Sequence, residues 1–253
     1  MGLEKTEAIV LRNHKLGETS KILTLYSKKD GRLKIIAKGA RGLKSRFYGS
    51  LESLNHISLV YYFKENRDLQ LLSQAEIIDP FNRIRDDLNR FILATTASEI
   101  VLKSQFAEDA DPTLFGIFLH YLKCLNDAGD SGDGLTLWFD LQYLKRTGFE
   151  PKTDNCLICS RHADQRSYLF SITRGGYVCD ACRTDDISGV RISRDSIDLI
   201  GTLSNSGSEN ASGEHVRAFV VKESVNVTHQ FMAYHVPGLE HLKSLDFREK
   251  LKL

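Results

Sequence analysis

The 253 residues predict an α+β multidomain chain in which an N-terminal five-stranded β-barrel precedes a helical bundle carrying an inserted four-cysteine ribbon. Three features predict it. Short apolar runs alternate with turn signals as far as residue 78, the apolar period becomes helical beyond Pro80, and two C-x-x-C pairs interrupt the helical half. A barrel domain over residues 1–79 and a helical domain over 80–253, with the insertion at about 150–190, follow from these features.

The strands are expected at Ala8–Arg12, Lys21–Tyr26, Arg32–Lys38, Ile57–Phe63 and Leu69–Glu76. Gly17, the Lys29-Asp30-Gly31 turn, a Gly39–Gly49 loop and Glu65-Asn66-Arg67-Asp68 separate them. In the third strand Leu33, Ile35 and Ala37 alternate with Arg32, Lys34, Ile36 and Lys38, so one face is apolar and the other mostly cationic. Five strands in so short a segment close into a barrel more readily than they leave two open edges, and an oligonucleotide-binding (OB) barrel is the expected form.

Beyond Pro80, Ile84, Leu88, Phe91, Ile92 and Thr95 are spaced for one buried helical face running to about Lys103. Asp111-Pro112 reads as a cap and first turn, followed by Leu114, Phe115, Phe118, Leu119 and Leu122. A third helix is expected over Thr136–Arg146, ending at Gly148, after an exposed acidic loop, Asn126–Gly134, that lacks the twelve-residue calcium pattern. Ser193 is placed to cap a helix over Arg194–Leu203. The polar stretch Ser204–Gly213 reads as a linker, and helices are expected over Glu214–His235 and Leu239–Leu253, all packing into one bundle.

Cys156-x-x-Cys159 and Cys179-x-x-Cys182 are separated by nineteen residues. Two such pairs close tetrahedrally on Zn²⁺, while the spacing within each pair strains a direct disulfide. Tyr168–Thr173 and Gly175–Val178 between them suit a hairpin, which makes the segment resemble a zinc ribbon. Four cysteine ligands leave no position for a substrate water, so the metal is expected to be structural. A thioredoxin-type redox pair would need a βαβ setting, which Cys156 lacks, and a nucleobase deaminase would need an H-x-E motif, which no histidine here begins. Cys124 is left over and is expected to be buried.

The formal charge of +1 is unevenly spread. Residues 1–50 hold twelve Lys or Arg against four acids, +8, which leaves −7 on the rest. Such asymmetry fits a polyanion-binding module on a more acidic body. Lys38–Gly49 (KGARGLKSRFYG) combines four cations with three glycines and the pair Phe47-Tyr48, residue types that approach phosphates and stack on bases, although both aromatics equally suit a barrel core. Lys28, Lys29, Arg32, Lys34, Lys38, Arg41, Lys44 and Arg46 are the candidate nucleic-acid ligands. The loop is no Walker A motif, for Gly39-x-x-Gly42-Leu43-Lys44-Ser45 lacks the required gap; H-E-x-x-H and G-x-S-x-G are absent, and the reading is of a non-enzyme. No run approaches the roughly eighteen apolar residues of a membrane span, and residues 1–10 resemble no signal peptide; the expected location is cytoplasmic, with the nucleoid.

The blocks Gly17-Glu18-Thr19-Ser20-Lys21-Ile22-Leu23-Thr24-Leu25, Ala37-Lys38-Gly39-Ala40-Arg41 and Ser45-Arg46, the cysteine segment, and Lys243-Ser244 followed by Phe247 together resemble the bacterial RecO family of DNA repair proteins over nearly the whole chain. The resemblance implies an OB barrel, a helical domain and a zinc insertion. It also implies binding of single- and double-stranded DNA, strand annealing, and recombinase (RecA) loading with RecR on strands coated by single-stranded-DNA-binding protein (SSB), with RecF as a further partner. Two other classes stand beside it: an adaptor whose helical bundle docks an acidic partner tail, and an RNA-binding barrel-plus-zinc factor.

Overall fold

The computed structural model describes residues 2–42, 44–104, 109–129, 132–162, 164, 166–211 and 217–251. The chain forms two compact units, Met1–Asn126 with Lys243–Leu253, and Asp127–Leu242.

In the first unit, β1 (Gly2–Leu16), β2 (Ser20–Ser27), β3 (Gly31–Ala37), β4 (His56–Phe63) and β5 (Gln70–Asp79) follow the expected order, with β1 extended at both ends. They pair as β1-β2-β3-β5-β4, and β4 returns to β1, which closes the barrel. All neighbours are antiparallel except β3 and β5, joined in parallel through Ile35–Gln70 and Ile36–Leu71. The alternation in β3 holds: Leu33, Ile35 and Ala37 are buried, while Arg32 and Ile36 are half-buried and Lys34 is exposed. The segment between β3 and β4 adds Ala40, Phe47 and Leu51 to the barrel core. Its backbone donates from Leu54 to Val10 O at 2.7 Å, and Val10 donates back to Asn55 O at 3.0 Å.

The helices after β5 depart from a single amphipathic run. Phe81, in left-handed conformation, begins α1 (Asn82–Asp86), and Asp87 is extended and accepts from Arg90 N to start α2 (Leu88–Lys103). Pro80 therefore precedes the first helical turn. Leu88 and Phe91, expected on the buried face, are exposed, and the buried set is Ile92, Leu93, Ala94, Thr96, Ala97, Ser98, Ile100 and Val101. The physical reason is that α2 lies between the barrel strands β1 and β2 and α7 (Lys243–Leu251), so more than one side of it is covered. In α3 (Pro112–Asp127) Asp111 caps as expected, accepting from Thr113 N and Leu114 N, both at 3.1 Å. Phe115 packs against Tyr26 and His56 of the barrel. Cys124 is half-buried rather than buried, with Sγ 3.4 Å from His120 Nε2.

The second unit holds α4 (Asp133–Arg146), a three-stranded sheet β6 (Ser167–Ser171), β7 (Gly176–Val178) and β8 (Val190–Ser193) in the order β7-β6-β8, then α5 (Arg194–Asn205) and α6 (Ala218–His235). The acidic loop is shorter than expected because its ends join α3 and α4; Asp130 and Ser131 lie outside the described residues. Ser204 and Asn205 belong to α5 and Ser208–Ala211 form a 3₁₀ turn, so most of the expected linker is folded. It is held by side chains of α4: Trp138 Nε1 donates to Ser206 O at 3.1 Å and Gln142 Nε2 to Leu203 O at 2.9 Å. Ser212–Val216, which include the end of that stretch and the expected start of the next helix, lie outside the described residues, as does Leu253. Residues 239–242 are not helical, since α7 begins at Lys243. One bundle was expected; instead α4, α5 and α6 pack together in the second unit and α7 packs on α2 in the first.

Candidate nucleic-acid interface and metal centre

The eight candidate cations do not form one face. Lys28 and Lys29 lie in the β2–β3 turn, whereas Lys38, Arg41, Lys44 and Arg46 lie beyond the far end of β3. The eight residues of β2 separate these ends by roughly 25 Å. Lys29 pairs with Glu4, whose hydrogen bond raises the lysine's pKa above its ordinary value, and Asp30 sits beside it, accepting from Tyr61 at 2.8 Å. Arg32 is half-buried and turned onto the end of α2, donating to Leu102 O at 2.5 Å and Ser104 O at 3.3 Å. It satisfies terminal helix carbonyls, so its positive charge is spent inside the fold.

The β3–β4 loop has a different character. Lys38, Arg41, Lys44 and Arg46 are all exposed. A ladder of short-range bonds fixes the loop: Ser45 N donates to Gly42 O at 2.9 Å, Tyr48 N to Ser45 O at 3.1 Å and Ser50 N to Phe47 O at 3.2 Å. Arg41 ties it to the β1–β2 turn, its backbone N–H donating to Thr19 O at 2.9 Å and its guanidinium donating to Gly17 O. The two adjacent aromatics separate: Phe47 is 3% exposed in the barrel core, and Tyr48 is 80% exposed. Arg46 lies over the Phe47 ring, 4.8 Å from its centroid.

A second concavity in the same unit escaped the sequence reading. Its volume is about 630 Å³, and Leu11, Arg12, Phe91, Lys103, Lys243 and Phe247 are among the residues that line it. No pattern in the sequence announces it, since Phe91 was expected on a buried face and its convergence with Phe247 joins two segments more than a hundred residues apart.

In the second unit the four cysteines meet. Ligand atoms of Cys156, Cys159, Cys179 and Cys182 all lie within 4.8 Å of one another, and Cys159 Sγ is 3.7 Å from Cys179 Sγ. A tetrahedron with metal–sulfur bonds of about 2.3 Å has edges of about 3.8 Å, so the donor set and spacing fit Zn²⁺. Each pair sits on a tight turn: Ser160 N donates to Cys156 O at 3.0 Å, and Cys182 N to Cys179 O at 3.0 Å. Backbone N–H groups also face the sulfurs, as where Cys179 N donates to Cys156 Sγ at 3.4 Å. Burial pushes the Cys156 thiol up, but the N–H groups of Cys159, Cys179 and Ile158 outweigh it and bring the pKa to about 6. The N–H of Arg161 likewise favours the Cys159 thiolate, and the Arg161 side chain donates to it.

The ribbon is built into its unit. β6 and β7 make the expected hairpin, Gly175 turning it with φ +77° and donating to Ser171 O at 2.9 Å. β8, absent from the sequence reading, pairs on the other side of β6 and runs directly into α5. Phe170 meets Phe231 of α6 with ring centroids 6.3 Å apart, and His235 lies 2.7 Å from Ile172 O. Among the described residues no other group of histidine, cysteine or acidic side chains is arranged to hold a metal, and no helix is long and apolar enough to cross a membrane.

Comparison with known proteins places both parts of the chain. The family model described as Recombination protein O N terminal matches residues 1–81, and that described as Recombination protein O C terminal matches residues 85–246. The DNA repair protein RecO of Syntrophus aciditrophicus is 33% identical over 181 residues, 71% of this chain and 70% of that protein. The DNA repair protein RecO of Desulfatibacillum aliphaticivorans is 29% identical over 255 residues, 98% of this chain and 96% of its own. With an OB-type barrel, a helical region, a four-cysteine cluster and matches across both halves, this chain belongs to the RecO family of DNA repair proteins.

Proposed function

We propose that this chain is a recombination mediator that binds DNA through the β3–β4 loop of its barrel and anneals complementary single strands. The observation that carries this is the loop itself: four exposed cations with no acid between residues 38 and 49, on a backbone fixed by its own hydrogen bonds and anchored by Phe47. Two strands repel through their phosphates, and cations held rigidly along one strand lower that repulsion so that the other can pair. No covalent step is needed. Of the eight candidates, Lys38, Arg41, Lys44 and Arg46 carry the proposal, joined by exposed Lys34; Lys28 is exposed but lies in the β2–β3 turn at the other end of β3, and Arg32, and Lys29 beside Glu4 and Asp30, are better occupied elsewhere.

The cysteine cluster is read as a zinc site that folds the ribbon: the four sulfurs would hold the ion, and the N–H groups around Cys156 and Cys159 would stabilise the bound thiolates. RecR, SSB, RecF and RecA are the protein partners that the family resemblance implies, in the setting of the cytoplasm and nucleoid. A second reading has its own support, for the groove lined by Phe91 and Phe247 has Arg12 and Lys243 among its lining residues, with Lys103 paired to Glu99 inside it. Such chemistry suits an acidic peptide with an apolar end.

The test is the annealing rate of two complementary, protein-coated single strands across a salt series, with the native chain and with Arg41→Glu, Lys44→Glu. Acceleration that falls with salt, and that drops on the order of ten-fold or more in the double variant, is expected. Unchanged annealing in the double variant would remove the loop from the mechanism and leave the groove as the better-supported surface.

A further inference from the structure

We infer that Tyr48 is a base-stacking platform that makes the loop prefer unpaired to paired strands, a role that rests on the strand-binding reading above. Among the described residues, Tyr48 at 80% is the most exposed of the large hydrophobic side chains. A solitary exposed aromatic needs no explanation. This one differs in how it is mounted.

Its neighbour Phe47 is driven into the barrel core, so the backbone at Tyr48 is pinned from below. Tyr48 N donates to Ser45 O, Phe47 N to Ser45 Oγ at 3.2 Å, and Gly49 follows with φ +74°, a conformation that turns the chain back toward buried Ser50 and Leu51. The ring is thus held outward on a fixed base. The loop's own cations, Lys38, Arg41, Lys44 and Arg46, flank it in sequence, and the segment contains no carboxylate to repel a phosphate. An aromatic face beside cations on a pre-ordered loop is the chemistry that takes an unstacked base together with its backbone.

The selectivity follows from geometry. In a duplex each base has both faces covered by its neighbours, so a paired strand offers phosphates to the lysines and arginines but no face to Tyr48. The cations hold both forms; Tyr48 adds affinity for the unpaired form alone. As pairing proceeds that added affinity disappears, so Tyr48 shifts the balance of binding toward the unpaired strand and away from the annealed product.

The experiment measures equilibrium binding of the full chain to three labelled probes of equal length: an oligothymidine strand, an abasic strand with the same phosphates, and a duplex. Native protein, Tyr48→Phe and Tyr48→Ala are compared at several salt concentrations. Tyr48→Ala is expected to weaken oligothymidine binding on the order of 5- to 100-fold, with the duplex and abasic probes unaffected and the salt slope unchanged. Tyr48→Phe, which keeps the ring, should bind like the native chain. Oligothymidine binding as tight in Tyr48→Ala as in the native chain, or a loss shared equally by all three probes, would overturn the stacking role while leaving the loop's cations in place. Failure of the native chain to bind any of the probes would overturn both this role and the strand-binding reading.

Discussion

A charged side chain contributes most to binding where the fold leaves it exposed, as it leaves Arg41, whose guanidinium also donates to Gly17 O, and not Arg32. Arg32 and Lys34 alternate correctly on the outer face of β3, yet Arg32 reaches Leu102 and Ser104 at the end of α2 while Lys34 remains exposed. Nothing local distinguishes them, because the carbonyls that take Arg32 lie some seventy residues along the chain. The consequence is testable: Arg32→Ala should lower stability by about 1–3 kcal/mol, since two helix-terminal carbonyls lose a charged donor, and leave strand affinity nearly unchanged. Chemical denaturation alongside a binding titration separates the two effects. A large loss of affinity with intact stability would return Arg32 to the interface. The same limit applied to Phe47 and Tyr48: both are aromatic and adjacent, and only the turn geometry sends one inward and the other out.

Among the elements, those whose pattern is local were legible and those defined by distant partners were not. The five barrel strands carry alternation within themselves, and the two cysteine knuckles are set by three-residue spacing, so both could be read directly. β8 has only four residues, too few for a period, and becomes a strand because β6 offers it an edge. The register of α2 was misread because its second covering surface, α7, begins 140 residues after Lys103. The ribbon shares aromatic contacts with α6, and Glu223 of α6 accepts from Ser193 N at 3.0 Å and from Ser196 Oγ at 2.6 Å at the start of α5. Metal loss should therefore disturb more than the two knuckles. The purified chain should contain about one zinc ion, and a chelator should lower the thermal midpoint of the transition reported by Trp138, the sole tryptophan, which lies on α4 in the same unit. Oligothymidine affinity, which the proposal assigns to the barrel, should change little. A chelated chain with an unchanged Trp138 transition would show that the sulfurs need no metal to hold the ribbon.

At the scale of the molecule the chain builds its first unit from both of its ends, leaving after Asn126 and returning at Lys243. Besides the packing of α7 on α2, a carboxylate fastens the return. Glu99 of α2 accepts from Lys243 N at 3.0 Å, from Ser244 N at 2.9 Å and from Ser244 Oγ at 2.7 Å, so a residue 144 positions away caps α7. Burial raises the carboxyl's pKa, but the Ser244 backbone and hydroxyl, with Lys103 and Lys243 N, outweigh it and hold it at about 2. Because the folded value lies below the ordinary 4.5, the contribution is fully present above about pH 4.5 and is lost as pH falls toward 2. The hydrogen-exchange protection of Lys243 and Ser244, taken relative to the intrinsic rate at each pH, should fall over that window in the native chain. Glu99→Gln, with no charge to lose, should show weakened protection already at neutral pH, by about 1–2 kcal/mol, and a flatter acid dependence. The effect should be confined to α7 and the α2 residues beneath it, because α4, α5 and α6 belong to the other unit. Equal acceleration across α4–α6 in Glu99→Gln would mean that the two ends are fastened by something other than this cap. The same contact frames the groove that Phe91 and Phe247 line, so loosening α7 should also open the surface on which the peptide-docking reading depends.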